Sequence, residues 1–267
     1  MDKFLEHNIG LREYITGNRF IDICANTGAT FCKTDFLREI YDKNIKTLVT
    51  HNSDYHINDF VYSVKPPTVK RWFTQNKDVD SETVTSVPIG LENMILRVTP
   101  ESQLGRFSSE VKNALLKAQI INRLFEKGVD KTKQVYMNFN PATAPVERNY
   151  VKNMFKDNPL ITTAAGRTLD EYYHDVAVHK FVISPRGNGV DCHRTWEALY
   201  LRTIPIVRRS IHMNEFEDLP ILFVDKWEDL SYINIEEKYE EMVSKEYDLG
   251  KMKISYWEDR IRGILNE

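Results

Sequence analysis

The sequence predicts an α/β protein of two Rossmann-like halves, on three observations. Short apolar, β-branched segments alternate with stretches of helical apolar spacing, the pattern of parallel sheets crossed by helices. Small and polar residues gather where several of the expected strands end. A charged, glycine-containing stretch, Lys127-Gly128-Val129-Asp130-Lys131-Thr132-Lys133, divides the chain near its middle. The expected domains are therefore residues 1–128 and 129–267, facing each other across a cleft, with the last helix free to pack back on the first domain.

Residues 1–18 are a mostly polar lead-in with room for a short helix. Residues 19–24 read as a buried strand, followed by a small-residue loop over 25–30 and a helix over 34–42. A second strand over 45–50 runs into the polar cluster His51-Asn52-Ser53-Asp54-Tyr55-His56. Pro66-Pro67 bars a regular helix there. Two further strands, 71–75 and 83–89, close the first half, the second leading into Gly90-Leu91-Glu92.

Residues 108–126 have helical spacing, and a fresh strand begins at 134–139. Pro145 suits the first turn of the next helix and Thr143 is its candidate cap. Arg148 and Lys152 share one face of that helix, which either meets a ligand's charge or is a solvated basic surface. A strand at 160–163 and a helix over 168–178 follow. After the central unit come a strand at 221–224 and terminal helices near 235–247 and 251–265.

That central unit, residues 181–208, reads as strand, polar loop, helix, strand. Gly187, Asn188 and Gly189 leave the loop free of large side chains, so that backbone N–H groups can approach an anion. Asp191 is the candidate N-cap of a helix whose N-terminus adds partial positive charge. Arg186, His193 and Arg194 bring cationic or switchable donors to the same place, a fit for a pyrophosphate. Glu197 lies one turn beyond His193 on the same face and can accept from a ribose diol. The structural alternative is a capped tight turn whose charges pair, Arg194 with Glu197.

The net charge of −3 gives no basic field, so nucleic acid is not an expected partner. The three cysteines, Cys24, Cys32 and Cys192, lack metal-ligand spacing and read as small buried hydrophobes. With no apolar leader and no apolar run long enough to span a bilayer, the expectation is a cytoplasmic protein without a transmembrane segment. Gly187-Asn188-Gly189 lacks the third glycine of a dinucleotide fingerprint, since Cys192 stands there, and no P-loop occurs. These absences argue against dehydrogenase and kinase activity.

The string from Ser184 through Pro185, Arg186, Gly187, Asn188, Gly189, Val190, Asp191, Cys192, His193, Arg194, Thr195, Trp196 and Glu197 to Leu199, with Ile204-Pro205-Ile206-Val207, resembles the nucleotide-sugar site of exostosin-like glycosyltransferases. Thr50-His51-Asn52-Ser53-Asp54, Phe73-Thr74-Gln75-Asn76, Val87-Pro88-Ile89-Gly90-Leu91-Glu92, and Asn138-Phe139-Asn140 leading to Arg148, resemble the same group. The resemblance implies a GT-B fold and an inverting transfer from a nucleotide-sugar, UDP by default, to a glycan or glycoconjugate hydroxyl. It also implies that no cofactor and no bound metal are essential, and Asp78-Val79-Asp80 is read as a loop feature rather than a ligand pair.

On this resemblance Arg186 and Arg194 hold the pyrophosphate with amides of 187–189, His193 contacts phosphate or sugar, Glu197 binds ribose, and Arg148 neutralises the leaving group. Ser184 and Asp191 belong to the same donor site. Arg202 departs from the family's usual glycine and is expected to face solvent. An inverting transfer needs a base from the first domain. Asp54 leads, with His51, His56 and Glu92 as alternatives and turn capping as the structural reading of Asp54. A sugar-nucleotide epimerase and a non-catalytic nucleotide-sugar-binding module are the competing functions.

Overall fold

In the computed structural model, which describes residues 2–92 and 114–263, the alternation of segments resolves into two separate parallel sheets. The chain opens with a short strand, β1 (Asp2–Lys3), and then α1 (Gly17–Thr27). The sequence reading placed a strand at 19–24, and this is corrected. Phe20, Ile23 and Cys24 have helical spacing and are buried, while Ile21 and Asp22 between them are exposed. Thr16 caps the helix through the Arg19 N–H, and Gly28 ends it at φ 76°.

The first sheet therefore starts one segment later, with β2 (Thr30–Cys32). The helix expected over 34–42 is a kinked 3-10 segment, Thr34–Ile40. β3 (Thr47–Thr50), α2 (Asp59–Ser63), β4 (Arg71–Thr74) and β5 (Val84–Ser86) follow, giving the order β2-β3-β4-β5. Side-chain alternation sends Leu48 and Trp72 to one apolar layer and Val49 and Phe73 to the main core.

Beyond α3 (Ala114–Glu126) the second half runs through β6 (Lys133–Met137), α4 (Pro145–Phe155), β7 (Ile161–Thr163), α5 (Leu169–Val178) and β8 (His179–Ile183). α6 (His193–Tyr200), β9 (Ile204–Arg208), α7 (Ile211–Asn214) and β10 (Leu222–Val224) complete it. The sheet order is β10-β9-β8-β6-β7. The chain steps from β6 outward to β7 and then back to β8, so the strand order reverses between β6 and β8. Ligands of open α/β sheets bind in the crevice at such a point, outside the strand carboxyl ends. Thr168 caps α5 in a capping box with Glu171. Thr143 does not cap α4: it lies in its own 3-10 turn, and α4 begins at Pro145 without a side-chain cap.

α8 (Ile235–Val243) leads to β11 (Glu246–Tyr247), which pairs antiparallel with β1. The last helix, α9 (Ile254–Arg262), packs on α1 of the first half, where the Ile254 N–H donates to the Glu13 carbonyl and Arg71 donates to the carbonyl of Arg260. The result is an α/β arrangement of two parallel sheets, with the last helix returning to the first half. No helix among the described residues is long and apolar enough to cross a membrane.

Candidate functional site

The strand-end loops of the two halves are in direct contact. Asn76, at the end of β4, adopts φ 58°, a left-handed conformation that asparagine tolerates. Its side chain donates to the Ser53 carbonyl at 2.9 Å and accepts the Asp191 N–H at 3.0 Å. Gly189 lies flat against it, for a Cβ there would sit 2.6 Å from the Asn76 carboxamide. Gly189 is thus needed for close packing between the halves.

Asp191 is not the helix N-cap expected of it. Cys192 takes that position, and the buried Asp191 carboxylate instead accepts from the Trp196 indole at 2.8 and 2.9 Å, from the Ile89 N–H at 2.7 Å and from the Cys192 N–H at 2.8 Å. His212 Nε2 stands 3.4 Å away. Three donors on a buried carboxylate, with His212 beside it, make a joint between the sheets.

Glu197 is similarly engaged. Its Oε1 accepts from Lys117 at 2.8 Å and from the Tyr173 hydroxyl at 3.0 Å, and its Oε2 from Tyr172 at 3.2 Å. Burial pushes the Glu197 carboxyl up, but the Lys117 ammonium and the hydrogen bonds outweigh it and hold the group below the ordinary carboxylate range. Glu92 is 3.8 Å from Lys117 and 3.5 Å from His193, whose Nδ1 meets the Gly90 carbonyl at 2.7 Å. Arg194 does not pair with Glu197. Its Nε donates to the Asn138 carbonyl at 3.0 Å and its guanidinium lies over Phe139.

Arg148 is buried on the inner side of α4. It donates to three carbonyls, of Arg186 and Asn140 at 2.7 Å and of Pro185 at 3.3 Å. Burial and the neighbouring Arg194 charge push its pKa down to about 10. It clamps the β8–α6 loop from beneath. Ser184 is likewise turned inward, to Thr195 and Cys192. Arg202 is not at the solvent face expected: at φ 55° it stacks on Phe125 and donates to the His7 carbonyl. The positive φ is the backbone reason a glycine would suit that place.

Beside the loop, a cavity of about 850 Å³ opens over the carboxyl ends of β6, β8, β9 and β10. Arg186, Gly187 and Asn188 form one wall and Arg208, Lys226 and Trp227 another, with the α4 N-terminus between them. Glu147 organises the far wall, accepting from the Trp227 indole at 2.9 Å and pairing with Arg208 at 3.1 Å. Tyr150, hydrogen-bonded to Glu228, shows about half its surface at the rim.

Of the base candidates, Asp54 and His56 contact the loop that forms one wall of this cavity. Asp54 is exposed and accepts from the Asn188 amide at 3.1 Å. His56 Nε2 lies 2.7 Å from Arg186 Nη2, and its Nδ1 lies 3.5 Å from Asp78. His51 is 1% exposed, with Nε2 on the Pro88 carbonyl and Nδ1 on Asn52, and burial lowers its pKa. It is a neutral core histidine. Glu92 belongs to the Lys117 cluster.

Sequence reasoning missed Lys117, Arg208, Lys226, Trp227 and the His56–Asp78 contact. Lys117 did leave a signal: it occupies the apolar stripe of α3 with Ala114, Ala118, Ile121 and Leu124, where an unpaired ammonium would be costly.

No family model and no curated protein matches the sequence. Among solved structures the chain is similar to the UDP-GlcNAc 2-epimerase from Methanocaldococcus jannaschii, at 11% identity over 91% of this chain and 80% of that one, with a TM-score of 0.37. Similarity at this level says nothing of activity.

Proposed function

We propose that the protein transfers a sugar from a nucleotide-sugar donor, a UDP-sugar, to a hydroxyl of a glycan or glycoconjugate acceptor, with inversion at the anomeric carbon. One observation carries the reading: Arg186, Arg208 and Lys226 line a cavity at the carboxyl ends of the second sheet, and Asp54 and His56 of the first half contact the Arg186–Asn188 loop that forms one of its walls. The cations would meet the charge developing on the leaving diphosphate without a resident metal. The half-buried Arg194 adds a further guanidinium at the start of α6. Glu197 would receive a ribose diol once Lys117 or a tyrosine hydroxyl gives way.

The test is ligand-observed NMR against UDP-, GDP-, CMP- and dTDP-sugars, followed for hours. Selective binding of one sugar nucleotide is expected. Arg186→Ala should weaken it by about 10- to 100-fold, the loss of one or two charge-assisted hydrogen bonds. Absence of binding, or unchanged affinity in Arg186→Ala, refutes the proposal. An epimerised donor appearing in place of transfer or hydrolysis would assign the epimerase activity instead.

A further inference from the structure

The loop after β3 and the loop after β4 are tied together by a parallel bridge between Ile57 and Lys77, with the Ile57 N–H donating to the Asn76 carbonyl at 3.0 Å and the Asp78 N–H to the Ile57 carbonyl at 2.9 Å. This tie brings two side chains 22 positions apart into one pair. The Asp78 carboxylate stands 3.5 Å from His56 Nδ1. A carboxylate there favours the tautomer with the proton on Nδ1, which leaves Nε2 a lone pair. Nε2 points at the Arg186–Asn188 loop, 2.7 Å from Arg186 Nη2; the Asn188 carbonyl, 3.3 Å from Nε2, can only accept and takes its hydrogen from Arg186 Nη2 at 3.0 Å. A guanidinium can only donate, so the Arg186 contact requires the same tautomer.

From this geometry we infer that His56 is the general base of the transfer, oriented by Asp78 and masked by Arg186 until the donor diphosphate draws that guanidinium away. The inference rests on the transferase reading. Arg186 serves two partners in turn. In the free protein it fills the lone pair of His56, and with donor present it turns to the phosphate oxygens. The acceptor oxygen then attacks the anomeric carbon, its proton passes to His56 Nε2, and the bond from that carbon to the phosphate oxygen breaks with its electron pair leaving on the nucleoside diphosphate. The base is thus freed only when a donor is bound, which orders the binding: donor first, acceptor second. Asp54, one hydrogen bond away through Asn188, holds the loop that forms this wall.

The imidazole nitrogens of the full-length protein report both halves of the inference. In long-range proton–nitrogen spectra, with His56 assigned by His56→Gln, the free protein should show Nδ1 protonated and Nε2 unprotonated and hydrogen-bonded. UDP should shift Nε2 toward the unbonded position while Nδ1 keeps its proton. Release of UDP from the sugar nucleotide that binds should slow at least about 100-fold in His56→Gln, the usual worth of a positioned base, with donor affinity unchanged within about twofold. Asp78→Asn should slow release and populate the other tautomer.

A proton on Nε2 in the free protein, an Nε2 indifferent to bound UDP, or a smaller loss in His56→Gln than in Asp54→Asn overturns the inference while leaving the transferase reading in place. A wild-type protein that binds no sugar nucleotide overturns both.

Discussion

Lys117→Met removes the ammonium that balances Glu197 inside the protein. The two groups are 2.8 Å apart, with side chains 4% and 6% exposed, and the Tyr172 and Tyr173 hydroxyls complete the carboxylate's shell. Removing one partner from a buried pair costs about 3–5 kcal/mol, roughly a fifth or more of a typical domain's stability. With two hydroxyls still bonded to Glu197, the lower end, about 3 kcal/mol at pH 7.5, is expected.

The sign with pH is diagnostic. In the wild type the Glu197 carboxyl is held below its ordinary value, so its contribution is complete above the unfolded carboxylate pKa of about 4.3 and is lost as pH falls through the folded one. In the variant, burial without the cation raises the folded pKa above the unfolded one. The variant therefore gains stability as pH falls from 7.5 toward 5, and the gap to wild type narrows. Urea unfolding at pH 7.5 and 5.5 measures both, and Lys117→Met combined with Glu197→Gln should recover most of the loss. A gap under about 1 kcal/mol at pH 7.5, or one that widens at pH 5.5, would show that the pair is not buried as described. Glu197→Gln is a cleaner probe of ribose binding than Glu197→Ala, because it keeps an acceptor for Lys117 and the tyrosine hydroxyls even though the charge is lost.

Gly189→Ala would press a Cβ to 2.6 Å from an Asn76 carboxamide already fixed by the Ser53 carbonyl and the Asp191 N–H. A loss of about 1–3 kcal/mol is expected from thermal unfolding, and an unchanged melting temperature would mean the two halves are not in this contact. Arg148→Met orphans three carbonyls and should cost about 3 kcal/mol, measured by urea unfolding. A variant that unfolds like wild type but no longer binds a sugar nucleotide would make Arg148 a ligand instead of a clamp.

Much of the second half is legible in the sequence. β8, α6 and β9 follow the strand, loop, helix, strand order read for residues 181–208, and Pro145 and Thr168 mark their helix starts as expected. The first half is less legible. Residues 20–24 are mostly apolar over a span too short to separate a strand from one face of a helix, and the Thr16 cap with the Gly28 terminus decides for α1. The helix expected over 108–126 is observed from Ala114, its earlier residues lying outside those described.

The sequence by itself determined the alternation of strands and helices, the polar loops at the strand ends, and the gathering of Arg186, Gly187, Asn188 and Gly189 after β8. These are local properties, set by periodicity, glycine and charge within a dozen residues. The partners of the charged groups were decided only by tertiary structure. Asp191 and Arg148 look like ligand residues along the chain, yet one is saturated by donors from both sheets and the other by the backbone of its own loop. Lys117 meets Glu197 across 80 positions, and His56 meets Arg186 across 130. The cost of burying an unpaired charge forces such partnerships, but which residue supplies the partner depends on where two sheets and a returning C-terminal helix come to rest.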